Sequence, residues 1–186
     1  MTRRVEEYVR ADGTIPFKDW FERLDPHAAA KVATAVTRLS LGNTSNVKWF
    51  SGAGGYCDGA AVPQRVQSAQ KGARETVNDM ALTRDFKDTL VARVRRDPKF
   101  ARGLLDESAT LFLNGEPEAA RLLLRDLVNA TVGFEALAGM TGKPAKSLHR
   151  MLSRSGNPSM DNLAAILDAV RHRLKVSLKA QTVKAA

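Results

Sequence analysis

The feature that most constrains the fold is a stretch of 23 residues, Ser51 to Ala73, that carries no hydrophobic periodicity. It holds five glycines and five alanines, and its apolar residues recur at neither the strand period nor the helix period. A structureless stretch of this length is uncommon inside a compact domain. We therefore predict a linker over residues 51–79, which separates an N-terminal segment, 1–50, from a C-terminal domain, 80–186.

Residues 1–50 are predicted to form a short strand followed by two helices. The apolar residues around Glu6 mark the strand, and a helix begins near Pro16, because proline suits the first turn of a helix. A second helix begins at Asp25-Pro26 and ends at Gly42-Asn43. The first helix has an aromatic-rich face that must be covered by another part of the molecule. That face consists of Phe17, Trp20, Phe21 and Leu24.

The chain after Met80 has the apolar spacing of amphipathic helices joined by short connections, which predicts a helical bundle. Thr83 or Asp85 can cap the first of these helices. The predicted fold class is therefore mainly α, a bundle that includes a helix-turn-helix, with a small N-terminal strand-helix-helix fragment. From Leu174 to Gln181 apolar and polar residues alternate, which predicts a strand. That tail is either a strand added to a partner's sheet edge or a frayed terminus.

Positive charge is concentrated near the C-terminus. The chain has a formal net charge of +9, and residues 131–186 hold nine basic and three acidic side chains, hence six of the nine excess charges. Such asymmetry favours an anionic partner for this part of the chain, either nucleic acid or an acidic protein. The alternative is a basic face that is merely solvated.

The most specific motif is a pair of short helices around a glycine turn, at about residues 134–153. The first helix spans 134–140, the turn 141–143 and the second helix 144–153. Leu148 and Leu152 share the face that packs on the first helix, and the opposite face carries Lys, Arg and Ser with no acidic residue. Such a helix can enter the major groove of DNA. The predicted DNA-binding residues are Lys143, Lys146, Ser147, Arg150, Ser153 and Arg154.

Side-chain chemistry suggests roles for these residues. Arg150 and Lys146 can donate hydrogen bonds to guanine O6 and N7, and Ser147 can reach a base or a phosphate. Lys143 and Arg154 lie at the ends of the helix, where phosphate contacts are expected. The alternative for this segment is an ordinary bundle helix with a basic exposed side.

The motif resembles the helix-turn-helix of Xre-like repressors, which have a Leu-Ala dyad like Leu137-Ala138, a glycine turn and a following Asn-Pro like Asn157-Pro158. The chain from Met80 to about Val183 resembles HigA-like antitoxins. The run 113–131 is the part of the sequence on which this narrower resemblance rests. This resemblance implies a homodimer that binds double-stranded operator DNA, represses its own operon and neutralises a partner toxin. Phe134 replaces the usual phosphate-contacting glutamine of Xre-like repressors, so that contact cannot be transferred to this chain.

Residues 1–50 resemble the beginning of HigB-like toxins of the RelE/ParE type. The shared pattern consists of Asp12-Gly13, Pro16-Phe17, Trp20, Leu24-Asp25-Pro26, Leu41-Gly42-Asn43 and Val47-Lys48. Toxins of this class need a sheet after the second helix, but the sequence that follows has no strand pattern. The hypothesis is that a toxin fragment became joined to a nearly complete antitoxin by deletion or frameshift, with Met80 marking the former antitoxin start. A RelE/ParE-type toxin is the partner that this hypothesis implies.

Other activities lack support in the sequence. Cys57 is the only cysteine and the three histidines are scattered, so no metal site is predicted. His149 is expected at the packed edge of the second helix of the motif. No cofactor, no membrane contact and no enzymatic activity are predicted, and the expected location is the cytoplasm. Two alternatives to a DNA-binding regulator remain, an RNA-cleaving toxin of the RelE/ParE type and a toxin-binding module that does not use DNA.

Overall fold

The computed structural model describes residues 4–43, 48–49, 56–57 and 82–182, and within these ranges the fold is mainly α, as the sequence predicted. These residues form eight helices and two small antiparallel sheets. The strands are β1 Glu6–Val9, β2 Lys48–Trp49, β3 Tyr56–Cys57 and β4 Leu82–Asp85. The helices are α1 Pro16–Arg23, α2 Pro26–Ser40, α3 Phe86–Arg96, α4 Pro98–Leu113, α5 Pro117–Thr131, α6 Phe134–Thr141, α7 Ala145–Met151 and α8 Met160–Leu174.

Local sequence signals determine where most helices begin. The carboxylate of Asp25 accepts hydrogen bonds from the backbone N–H groups at the start of α2, and Asp97 does the same for α4. Asp85 caps α3, whereas Thr83, the alternative predicted cap, lies inside β4. The hydroxyl of Ser159 caps α8. Proline occupies the first turn of α1, α2, α4 and α5, where its missing N–H group costs no hydrogen bond.

The described residues include the predicted strand near Glu6, β1, and also β2, β3 and β4, which the sequence pattern did not predict. β1 pairs antiparallel with β4, with Glu6 opposite Asp85. β2 pairs antiparallel with β3, with Lys48 opposite Cys57, so the expectation of no strand after residue 50 was wrong for Tyr56–Cys57. Segments of two to four residues are too short to give a periodicity signal. The remainder of the predicted linker, 51–79, lies outside the described residues.

The predicted C-terminal strand does not form within the described part of the tail. Leu174 is the last residue of α8, and Lys175 adopts a left-handed conformation with φ of 54° that ends the helix. The alternation is nevertheless real, because Val176 and Leu178 pack against the core while Ser177 is exposed. A strand needs a hydrogen-bonded neighbour, and residues 175–182 have none among the described residues.

Residues from both sides of the predicted linker share one aromatic core. The rings of Phe21, on α1, and Phe86, on α3, meet edge to face with centroids 5.5 Å apart, and Phe21 meets Phe100 in the same way at 5.7 Å. The guanidinium group of Arg93 lies over the rings of Phe21 and Phe100 and donates hydrogen bonds to the backbone oxygens of Phe21 and Leu24. Of the aromatic face of α1, Phe21 is therefore fully buried by the helices that follow residue 82 and Phe17 and Leu24 are partly buried, whereas Trp20 remains 41 % exposed.

Polar contacts also join the two sides of this core. Arg38, on α2, donates two hydrogen bonds to the carboxylate of Glu116, at 2.7 and 2.6 Å. The Thr89 hydroxyl donates to the buried carboxylate of Glu7 at 2.6 Å, linking α3 to β1. α5 is the central helix, since it packs against α2, α3 and α4. In the described ranges, no helix is both long enough and apolar enough to cross a bilayer.

Candidate nucleic-acid interface

The two helices of the predicted motif are joined by a tight glycine turn. Gly142 ends α6 in the left-handed conformation, with φ of 65° and ψ of 21°, which side chains with a Cβ rarely adopt. Pro144 then precedes the first residue of α7. α6 packs on both α7 and α8. The core between these three helices is fully buried and consists of Leu137, Leu148, Leu152, Ile166 and Val170.

Two cations lie exposed on the outer face of α7. Lys146 and Arg150 are four residues apart and therefore share one side of the helix, away from buried Leu148. Neither forms an ion pair with a carboxylate in the described part of the chain. Ser147 and Lys143 are half-buried beside them. The predicted face thus presents two free positive charges to solvent.

The two remaining predicted residues have other contacts. α7 ends at Met151, so Ser153 lies beyond the helix, and its hydroxyl donates to the backbone oxygen of Arg150 at 2.7 Å. The Arg154 guanidinium group is 3.6 Å from the carboxylate of Glu118 on α5. A phosphate would therefore have to compete with Glu118 for Arg154. Of the six predicted residues, Lys146 and Arg150 have the geometry best suited to direct contact with DNA.

Two arginines of α5 hold the end of α7, and the sequence interpretation missed them. Arg121 is buried and donates to the backbone oxygens of Ser153, at 3.1 Å, and Arg154, at 2.7 Å. Arg125 donates to the backbone oxygen of His149 at 3.2 Å. The last carbonyls of a helix lack partners within the helix, and the bond from Arg125 satisfies one of them, that of His149. The bonds from Arg121 hold the chain directly after α7 against α5. Two arginines four residues apart on one helix were the signal available in the sequence.

An aromatic stack fixes the other side of α7. The His149 ring lies 3.6 Å from the Phe134 ring, centroid to centroid, with an angle of 18° between their planes. Phe134 is buried and His149 half-buried, as expected for a residue at the packed edge. Phe134 therefore serves as a packing residue at the start of α6.

Gly156 lies in close contact with the backbone at the end of α7. A Cβ atom at this position would lie 2.2 Å from the backbone oxygen of Met151 and 2.5 Å from that of Arg150. Only a residue without a side chain fits so close to two carbonyl groups. The close approach leads the chain from α7 into the Asn157-Pro158 connection and on to α8.

The described residues contain no group of three His, Cys, Asp or Glu side chains arranged to hold a metal ion. Comparisons of this chain with models of known protein families, with curated proteins and with solved structures found no match.

Proposed function

We propose that this protein is a sequence-specific DNA-binding transcriptional regulator. The observation that carries the proposal is the pair Lys146 and Arg150, exposed on one face of α7 and free of described carboxylates, opposite buried Leu148 and Leu152. B-DNA offers a major groove about 12 Å wide, which admits one α-helix. The basic excess of residues 131–186 supplies the attraction to phosphates that precedes base contacts.

The proposed target is a palindromic operator bound by a homodimer. One copy of α7 spans only seven residues and can contact a few base pairs at most. A two-fold dimer presents two such helices to half-sites about 34–36 Å apart. The resemblance to HigA-like antitoxins adds that the operator controls the protein's own operon and that the protein neutralises a RelE/ParE-type toxin.

Substitutions on α7 test the DNA contact. Arg150→Ala should weaken operator binding by about 1–3 kcal/mol and relax the preference at one base position, since it removes a bidentate base contact. Lys146→Ala should have a similar effect at a neighbouring base. Lys143→Ala should weaken binding to all DNA sequences alike. It should also flatten the slope of the logarithm of affinity against the logarithm of salt concentration by about 0.9, because it removes one phosphate contact. Fluorescence anisotropy with the upstream DNA at several salt concentrations measures all three.

The matched control is Lys99→Ala, which removes an exposed lysine from α4 and lowers the net charge equally. If Arg150→Ala and Lys146→Ala bind like Lys99→Ala, α7 is not the recognition helix. If the parent protein shows no salt-dependent affinity for any upstream DNA, the DNA-binding function itself is wrong, and the toxin-binding module without DNA contact is the better explanation. Co-purification with a co-expressed RelE/ParE-type toxin then tests that alternative.

A further inference from the structure

A cavity of about 310 Å³ is lined by residues of α2, α3 and α5, together with Arg4 and Val5 before β1 and Arg154 after α7. Its walls are mainly apolar and include Val36, Leu90 and Leu122. This volume is near the lower limit of small-molecule sites, which extend from about 300 to 1,000 Å³. The cavity therefore suits a small ligand, and a single amino acid would fit within it.

The buried acidic group of this cavity is the side chain of Asp126. The residue is only 8 % exposed, and no described residue donates a hydrogen bond to its carboxylate. Its closest cation is the ammonium group of Lys87, whose nitrogen is 4.0 Å away, too far for a hydrogen bond. Burial raises the pKa of Asp126 to about 6, against the opposing effects of Lys87 and Arg125. A charged carboxylate at this low exposure is poorly hydrated, and an ammonium group brought by a ligand would stabilise it.

Three cations line the same cavity nearer to solvent. Arg4, Lys87 and Arg154 all contribute to its lining, and their side chains are 69 %, 59 % and 35 % exposed. Arg4 is 3.5 Å from the carboxylate of Asp85, which also lines the cavity. The cavity thus has an acid in its interior, bases at its edge and apolar walls between them.

This distribution of charge selects the class of ligand. Arg4 and Arg154 face the carboxylates of Asp85 and Glu118, which leaves Asp126 and Lys87 as the two groups that decide the ligand's charge. A simple anion would lie against Asp126, and a simple cation would be repelled by Lys87. We propose that the cavity binds a free amino acid with an apolar side chain. The ammonium group donates to Asp126, the carboxylate accepts from Lys87, and the side chain packs against Val36 and Leu122.

The test uses purified full-length protein and two probes, L-leucine and L-phenylalanine, in isothermal titration calorimetry and thermal denaturation. At least one should bind and raise the midpoint of unfolding. Isoamylamine and 4-methylpentanoate carry the leucine-like chain with only one of the two charges, so each should bind at least about tenfold more weakly, as expected for the loss of a charge-assisted hydrogen bond.

Asp126→Asn should reduce the affinity for the amino acid at least about tenfold, because an amide cannot neutralise the ligand's ammonium group. The variant should fold, since it removes a buried charge. Lys87→Gln should weaken binding through the ligand carboxylate. Asp19→Asn, an exposed acid on α1 outside the cavity, is the control and should bind normally.

Three results would overturn the proposal: no binding of either amino acid at millimolar concentration, unchanged binding by folded Asp126→Asn, or a singly charged analogue that binds as tightly as the amino acid. No DNA is present in this experiment. Its outcome is therefore independent of the proposed DNA-binding function.

Discussion

The helix-turn-helix region and the N-terminal region are held together in different ways. From α6 to α8 the core residues lie within 40 positions of one another, as in the Phe134–His149 stack. The N-terminal elements β1, α1 and α2 are instead completed by residues far along the chain, such as Asp85 opposite Glu6 and Phe100 against Phe21. The helix-turn-helix region is thus built from local contacts, whereas the N-terminal region depends on residues far along the chain.

This difference separates what pattern analysis can find from what it cannot. An amphipathic helix and its caps are encoded within a dozen residues, so the helices of both regions were predicted correctly. The partner that covers an apolar face is encoded elsewhere. The aromatic face of α1 indicated that another part of the molecule must pack against it. Nothing near it in sequence indicated that Phe86, Arg93 and Phe100 would do so.

The largest expected effect is from removing residues 1–79, which hold the N-terminal elements and the predicted linker. A chain that begins at Met80 loses strand β1 and the side chain of Phe21, so the buried faces of α3, α4 and α5 become exposed. We expect it to lose cooperative unfolding, because the lost burial exceeds the roughly 5–15 kcal/mol that stabilises a domain. Circular dichroism during heating measures this. Adding a peptide of residues 1–50 in trans should restore the transition, and a fully stable Met80 form would contradict the shared core.

Gly156→Ala tests the local region. The new Cβ would collide with the backbone oxygens of Met151 and Arg150, so we expect a loss of about 3 kcal/mol or more in unfolding free energy, at the upper end of overpacking costs. Gly139→Ala is the matched control on α6, where a Cβ meets nothing within 4 Å. It should stabilise the protein by about 0.5–1 kcal/mol, because alanine favours helix. Urea titration of both variants would show opposite signs, and equal effects would refute the close packing at Gly156.

Asp126 makes the stability of the non-local core depend on pH. Its pKa is about 6 in the folded state against 3.8 in the unfolded chain, so the folded state binds the proton more tightly. The unfolding free energy should therefore fall by about 2 kcal/mol as the pH rises through 6. Asp126→Asn should remove that part of the dependence. Urea titrations between about pH 4.5 and 7.5 compare the two chains, and parallel curves would show that Asp126 is not buried as described.

The smallest expected effect concerns two ion pairs, one between residues far apart in the chain and one within a single helix. Arg38 and Glu116 are 78 positions apart and form a bidentate pair that is about one-third exposed, so a double-mutant cycle should give about 0.5–1 kcal/mol. Asp168 and Arg171 pair within α8, with the Nε atom 2.8 Å from the carboxylate, and should give about 0.2–0.5 kcal/mol. A larger coupling for the pair within α8 would reverse this expected order.

For the site, the sequence predicted the exposed cations but not what holds them. The spacing of Leu148 and Leu152 placed Lys146 and Arg150 on the outer face of α7, where they lie. The same reasoning included Ser153 and Arg154, which contact backbone and Glu118 instead. Helical spacing cannot show where a helix of seven residues ends, because the residues directly after it are held by bonds from Arg121, on a different helix.

By itself, the amino-acid sequence determined the helices, their caps, the glycine turn and the face of α7 that carries positive charge, because each of these depends on residues within one or two turns. The tertiary structure alone decided that β1 pairs with β4, that Phe21 is buried against Phe100 and that Asp126 is enclosed with few partners. These features depend on contacts between residues far apart in the chain. These contacts are stabilised by the burial of apolar surface from several helices and strands together, which cannot be recognised in any single stretch of sequence.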